Sequence, residues 1–519
     1  MSGTIALLGG RVHTMDPRGT IAEAVLVRDG RIEAVGTDDD IRGRLTGGEH
    51  TVDLAGRVVI PGLIDAHSHV EVATVAHQRW VDARGVPKDE SMRRIAAAIA
   101  EAEPGAWIPV QGTFGQEFPT RAELDELAPA HRVVFRANAH KLIANSAALA
   151  GAGIGEGDAP PRGTWYDYDA GRMTGVVFEG SSLFPIPWPD ESDLATILEQ
   201  EIREQFVRNG VTTIYELPGT SDGVAAYQNL AAAGRLPVRM SLTFTVAPGL
   251  SPLLDRAEDL TRTGLRTGFG TDKLWVAGIK IFLDGDGPAC YSSRHRDLSP
   301  SKWGLLTRDM NELRSILVDA YRHRTQVWIH AGGDLIQEMV VDVIEEALAL
   351  APWPDHRTRI EHLGNPAFDH ALIPRLVANG SIPVPNAAFI FGDVPKDASY
   401  AFRSFIDAGL QPPGTSDTAG AQLWSMNPWN IIQLAVERAN KDGVPIEPAE
   451  AITVEEAIRT YTVYSAYAGY READLGTLEV GKAGDLVVLG TDPFAVPVSE
   501  IRNTETDLTV MDGDVTWAG

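Results

Sequence analysis

The first sixty residues alternate short β-branched apolar runs with turn residues. "TIALLGGRVHTM", "AVLVRDGRIEAVG" and "TVDLAGRVVIPG" read as strands, broken by Gly and by Asp29-Gly30, a dipeptide suited to a hairpin turn. "GTLEVGKAGDLVVLG" and "LTVMDGDVTWAG" repeat the style at the other end of the chain. Two strand-rich ends flanking a long middle predict one small β-sandwich composed of residues 1–60 and 473–519.

Between them, apolar strand-length runs alternate with helical periodicity, the pattern of a parallel sheet. The strand candidates are "GLIDAHSH", "VTTIYEL", "VRMSLTF", "VAGIKIFLDG", "VWIHAGGD", "RIEHLG", "SIPVPNA" and "GTSD". Helical stretches such as 309–324, 334–351 and 368–379 separate several of them. Eight such units predict an α/β fold, a (β/α)8 TIM barrel over 61–472. The eighth strand has the weakest pattern, being short and following Pro412-Pro413. Residues from about 80 to 195 are too many for one β–α connection. They hold helical pieces at 91–103 and 121–128, the apolar "RVVFRANAHKLIANSAAL", and a Gly/Pro-rich section at 151–190. They are expected to form an insertion after the first barrel strand, lying over the barrel mouth.

Composition narrows the class without changing the fold. The 519 residues are 44% apolar and 22% charged, ordinary for a soluble globular protein. The net charge of −26 weighs against nucleic acid and anionic membrane surfaces as partners. Cys290 is the only cysteine, so no intrachain disulfide forms. The N-terminus reads without a basic signal-peptide region, and no run approaches the length of a membrane span. A cytoplasmic location is expected.

Candidate chemistry gathers at the ends of the predicted strands. In "PGLIDAHSHV", His67 and His69 stand two apart, and side chains at i and i+2 of a strand share a face. Lys280 lies in the fourth strand, His330 ends the fifth, His362 the sixth and Asp417 the eighth. Each has a plain structural explanation. A lysine in an apolar strand pairs with a buried acid, His330 fills a core, His362 pairs with Glu361, and Asp417 caps a helix. In a barrel, however, these strand ends converge on the one rim where catalytic residues sit. Imidazoles with a carboxylate suit Zn²⁺ or a related divalent cation.

The same motifs resemble the metal-dependent amidohydrolase superfamily, in particular the amidohydrolase family 3 branch that includes N-substituted formamide deformylases. "VVIPGLIDAHSHV", "IKIFLDG", "QVWIHAGGD", "TRIEHLGN", "GTSD" and the C-terminal "ITVEEAIRTYTVYSAYAGY…LGTLEVGKAGDLVVLGTDP" carry the resemblance over nearly the whole chain. It implies that His67, His69 and Asp417 hold one metal and that His330 and His362 hold a second. Lys280 bridges them if its amine is carboxylated; a free ammonium cannot bind a cation, so the alternative is a one-metal site. The implied activity is hydrolysis of a non-peptide C–N bond in an amide, N-substituted formamide or cyclic amide. A metal-activated hydroxide attacks, and Asp417 acts as general base and then acid.

The scaffold also supports deamination, decarboxylation and C–C or ester hydrolysis of a small molecule, and a non-catalytic scaffold is a third reading. "RANAHKLIANSAALAGAGI" resembles a family segment that makes His140 and Asn145 substrate-binding candidates. "GRMTGVVFEGSS" makes Glu179 a secondary one, with an exposed structural glutamate as the simpler reading. The loop after Lys280 adds Asp284, which fits the family's "DG", and Tyr291; Cys290 reads as a packed small side chain. "QGTFGQ" at 111–116 and "SDTAG" after the eighth strand depart from the family pattern, both on the substrate side. Loop aromatics such as Trp80, Trp165, Trp188 and Trp424 could wall a pocket for a bulky apolar substituent. Relatives are usually dimers, so a homodimer is expected.

Overall fold

Leu63–Ser68 is buried along its entire length, as a strand covered on both faces must be. It begins a curled parallel sheet of seven strands in the computed structural model, which describes residues 3–247, 249, 251–285, 287–295, 303–392, 394–396 and 398–519. We number these strands β1 (Leu63–Ser68), β2 (Val211–Glu216), β3 (Arg239–Ala247), β4 (Leu274–Phe282), β5 (Gln326–His330), β6 (Arg359–Glu361) and β7 (Ile382–Val384). They neighbour one another in chain order, and all six adjacent pairings are parallel. The amphipathic helices Met310–His323 and Asp334–Leu350 bury their apolar faces in one cluster with residues of β4 and β5. At the entry to β2, Gly210 turns the chain at φ +88°, a conformation that costs glycine nothing.

The expected eighth strand is not a ladder strand. Residues 414–418 run beside β1 through Ala66 N–H to Gly414 O (3.0 Å), Asp417 N–H to His67 O (2.9 Å) and His69 N–H to Thr418 O (2.9 Å). Pro412 and Pro413 supply no donors just upstream, and Asp417 sits at φ +48°, outside the β region. The segment therefore docks on β1 as an extended strap. Tyr461, whose hydroxyl donates to Thr415 O at 3.0 Å, helps to hold it.

Both termini share a sandwich. A six-stranded sheet orders Asp514–Ala518, Thr506–Met511, Leu486–Leu489, Val58–Pro61, Arg11–His13 and Ile21–Ala22, mixing strands from the two ends of the chain. A four-stranded sheet from the N-terminal segment covers it, and Ile5, Leu7, Val25 and Val27 meet Val59, Leu486, Val488 and Val510 between the layers. Buried Arg239 of β3 ties barrel to sandwich through Asp485 (2.7 and 3.0 Å) and Asp512.

The segment after β1 builds a sheet of its own where the sequence showed only its helices. Its six strands order Trp165–Asp169, Arg172–Phe178, Lys141–Ala144, Arg132–Arg136, Trp107–Gln111 and Val81–Asp82. "RVVFRANAHKLIA" is an antiparallel pair within it. Arg136 and Arg84 fasten this sheet to the strap by donating to Ala419 O (2.7 Å) and Gly420 O (2.9 Å). The insertion thus reaches the carboxyl ends of the barrel strands.

Candidate metal centre and substrate cavity

The carboxyl end of β1 delivers His67, and the chain turns into helix Val70–Arg79 directly after His69. Nε2 of His67 and of His69 lie 3.5 and 3.7 Å from Asp417 Oδ1. One ligand atom from each of the three falls within 4.8 Å of the others. His362 closes on the same carboxylate, its Nε2 standing 3.8 Å from Asp417 Oδ2. The ring of His330 lies 4.6 Å from that of His362. Lys280 is fully buried one strand over, its backbone opposite Trp328 of β5. His67, His69, His330, His362 and Asp417 therefore meet at one rim, and the Lys280 charge acts on it from the neighbouring strand.

Two of the six leave regular backbone to do so. His362 has φ +69° and Asp417 φ +48°, left-handed values that ordinary strand residues avoid. In an unbroken strand Glu361 and His362 would face opposite ways. The left-handed turn lets His362 meet Asp417 while Glu361 accepts from His67 Nδ1 at 2.6 Å. Glu361 is not the partner of His362 that its position suggests. It fixes the His67 ring so that Nε2 faces Asp417, the arrangement that orients metal-binding imidazoles. Arg359 holds Glu361 in turn, at 2.8 and 3.1 Å, and lies 3.6 Å over the Trp328 ring. Replacing Glu361 by Gln is expected to weaken divalent-cation affinity by about 10- to 100-fold, measured by competition with a chromophoric chelator; unchanged affinity would remove its orienting role.

The chemistry of the donor set fits a divalent cation. Among the described residues, both ring nitrogens of His330 and the Lys280 amine are buried without a hydrogen-bond partner. Such groups cost free energy unless something satisfies them. Burial, with the Lys280 charge second, keeps His67 and His362 well below the usual histidine range and puts His69 at about 3; burial, with the neighbouring His362 second, does the same to His330. Neutral imidazole is the ligating form. Burial likewise pushes the Lys280 amine down, against the pull of Glu361 and Asp417.

Of the remaining candidates, His140 reaches this rim: its ring lies 5.0 Å from that of His330. Its Nδ1 meets Glu179 at 2.9 Å, and Glu179 is 2% exposed, which corrects the reading of it as an exposed structural residue. Asp284 is a loop clamp that accepts from Tyr291 N, Gly332 N and Gly333 N at 2.9–3.0 Å, with its second role 3.7 Å from His330 Nε2. Burial pushes its carboxyl up to about 7, against the three backbone N–H groups that favour the charged form. Tyr291 packs its ring against Trp303, in the loop that Asp284 holds. Asn145 is elsewhere. Its amide accepts from Val133 N and Ala148 N and donates to Ala128 O and His131 O, capping helix Ser146–Gly151. That task explains an Asn before Ser-Ala-Ala without any substrate.

A cavity of about 540 Å³ opens beside His69 and His140. Trp80, Val134, Leu142, Phe184, Ile186 and Trp188 give it an apolar wall. Trp80 and Trp188 meet edge to face, 6.1 Å between centroids. Of the other loop aromatics, Trp424 packs on Phe391. No local motif marks Phe184 or Arg136, and the sequence offers Glu361 only as a partner of His362, because each acts across elements distant in sequence.

The model of the amidohydrolase family matches residues 50–517. An N-substituted formamide deformylase of Arthrobacter pascens is 30% identical, the alignment covering 98% of this chain and 97% of the relative. An uncharacterized metal-dependent hydrolase from Pyrococcus horikoshii superposes with a TM-score of 0.73 at 22% identity, over 96% of this chain and 99% of the other. The atrazine chlorohydrolase of Arthrobacter aurescens, in complex with zinc, superposes with a TM-score of 0.58 at 16% identity, over 98% and 94%. At these identities the two structures speak to the fold.

Proposed function

The chain belongs to the amidohydrolase family, as a hydrolase of carbon–nitrogen bonds other than peptide bonds, and from that premise we propose that it cleaves small amides, N-substituted formamides first among them. The observation that carries the reading is the meeting of His67, His69, His330, His362 and Asp417 at one rim, beside a cavity with an apolar wall. The deformylase relative favours the formamide class.

His67, His69 and Asp417 would hold one divalent cation, for which zinc is our choice, and His330 and His362 a second, with Lys280 as a further ligand if its amine is carboxylated. Held there, such a cation would supply Lewis acidity and lower the pKa of water at the site. The rest falls to the chain. The cavity wall seats the apolar substituent and excludes bulk water. His140, its Nδ1 held by Glu179, is placed to donate to the carbonyl oxygen as charge develops there. Asp417 takes the proton of the attacking water and delivers it to the amide nitrogen, so that the C–N bond breaks to give a carboxylic acid and an amine. A free lysine amine is the species that combines with CO₂, and burial favours that form.

A panel of N-substituted formamides, linear amides, lactams, amino-heterocycles and esters tests the reading. Formamides with aryl or branched-alkyl substituents are expected to give the highest kcat/KM, at least about tenfold above small polar amides. Turnover confined to esters or to deamination would contradict it.

A further inference from the structure

Arg136 ends strand Arg132–Arg136 of the insertion, is 5% exposed, and lines the cavity with His69 and His140. Its Nε donates to Gln111 Oε1 and its Nη2 to Ala419 O, both at 2.7 Å, and its plane lies 4.4 Å from the Trp80 centroid. Every one of these partners is neutral. Among the described residues no carboxylate pairs with it, and the charge that acts on it is another cation, Arg84, itself paired with Asp82 at 2.9 Å. The remaining buried arginines are answered within the fold. Arg359 has Glu361, Arg239 has Asp485, Arg357 has Asp355 and Glu472, and Arg438 donates to the carbonyls of Ser399, Tyr400 and Ile446.

Binding Ala419 and Gln111 requires donors but no charge. A neutral donor would do both without the cost of burying an unpaired cation. Among the described residues Nη1 of Arg136 makes no hydrogen bond, and it is not sealed from the cavity. A planar guanidinium with an unused edge on a ligand cavity matches a carboxylate.

We propose that Arg136 binds an acidic group of the substrate, so that the cavity accepts amides whose apolar part carries a carboxylate. This rests on the hydrolase reading above and names the substrate class within it. Val134, Leu142, Phe184 and Trp188 seat the apolar body, Arg136 takes the carboxylate, and the amide is left toward His69 and His140. Arg136 is a specificity residue, and it also steadies the strap that follows Asp417.

Two comparisons test it. The first is kcat/KM for N-formylphenylalanine against N-formylphenethylamine, which differ by the carboxylate alone. The wild type should prefer the acid by about 10- to 100-fold, the range of one charge-assisted contact. Arg136→Met should bring the ratio to within about threefold of unity, and Arg136→Lys should retain part of the preference. The second is binding of 3-phenylpropanoate against 3-phenylpropanol, followed by quenching of tryptophan fluorescence in metal-stripped wild-type and variant proteins. The acid should bind at least about tenfold tighter to the wild type, with the advantage lost in Arg136→Met. Acid and alcohol binding equally to the wild type would overturn the proposal whether or not the variants fold. So would an acid preference that survives Arg136→Met. If neither formamide is turned over but the binding difference is found, the anion site stands and the hydrolase reading falls.

Discussion

Asp417→Asn lowers kcat by at least about 1,000-fold and leaves the protein folded. The substitution keeps the shape of the side chain and removes its charge. Asp417 stands at the centre of the rim, with His67, His69 and His362 at 3.5, 3.7 and 3.8 Å from its oxygens. One loss therefore acts twice, since Asn neither ligates a cation as strongly nor accepts the proton that must reach the leaving nitrogen. The backbone should not suffer. Asparagine, like aspartate, tolerates the left-handed φ of +48°, and the bond from its N–H to His67 O does not involve the side chain. Steady-state kinetics beside a thermal melt checks both halves. A kcat within tenfold of wild type would take the proton-carrying role from Asp417.

Lys280→Ala should lose at least about 100-fold in kcat, the upper end of what removing an outer-sphere group costs, and recover part of it in millimolar formate or acetate. Lys280 is buried with no hydrogen-bond partner among the described residues, a poor arrangement for a structural residue. A carbamate on its nitrogen would bring two oxygens to the cations. Truncation to Ala leaves room in which a small carboxylate can do the same. In metal-free protein, Lys280→Met should melt higher than wild type, because it replaces an unpaired buried amine with an apolar chain of similar length. Lost activity without rescue would point to a single-metal site with an unmodified lysine. Wild-type activity would show that Lys280 takes no part.

The barrel was legible because strands covered on both faces read as nearly continuous apolar runs, and seven of them pair in chain order as expected. The eighth segment could not be read correctly from pattern. Its extended shape comes from prolines and from docking on β1, neither of which leaves an alternation. The metal-ligating types at strand ends were visible because a barrel converts strand order into proximity. Their supports were not visible. Glu361 looked like the neighbour of His362 because the left-handed turn between them is a tertiary choice. Arg136 looked like one more charged residue in "VVFRANAH", since only the fold shows that no carboxylate among the described residues pairs with it. Asn145 was misread for the opposite reason. A polar residue before a helix is a cap by default, and here its side chain makes four hydrogen bonds to the backbone.

The central claim is that this rim works through a divalent cation held by its imidazoles and Asp417. Stripping the purified protein with a chelator, confirming the loss by elemental analysis, and reloading it stepwise with zinc tests that claim most directly. Amide hydrolysis should fall to about 1% or less and return in proportion to the metal added, reaching its plateau at no more than about two equivalents per chain. Full hydrolysis by protein shown to be free of metal would contradict the account.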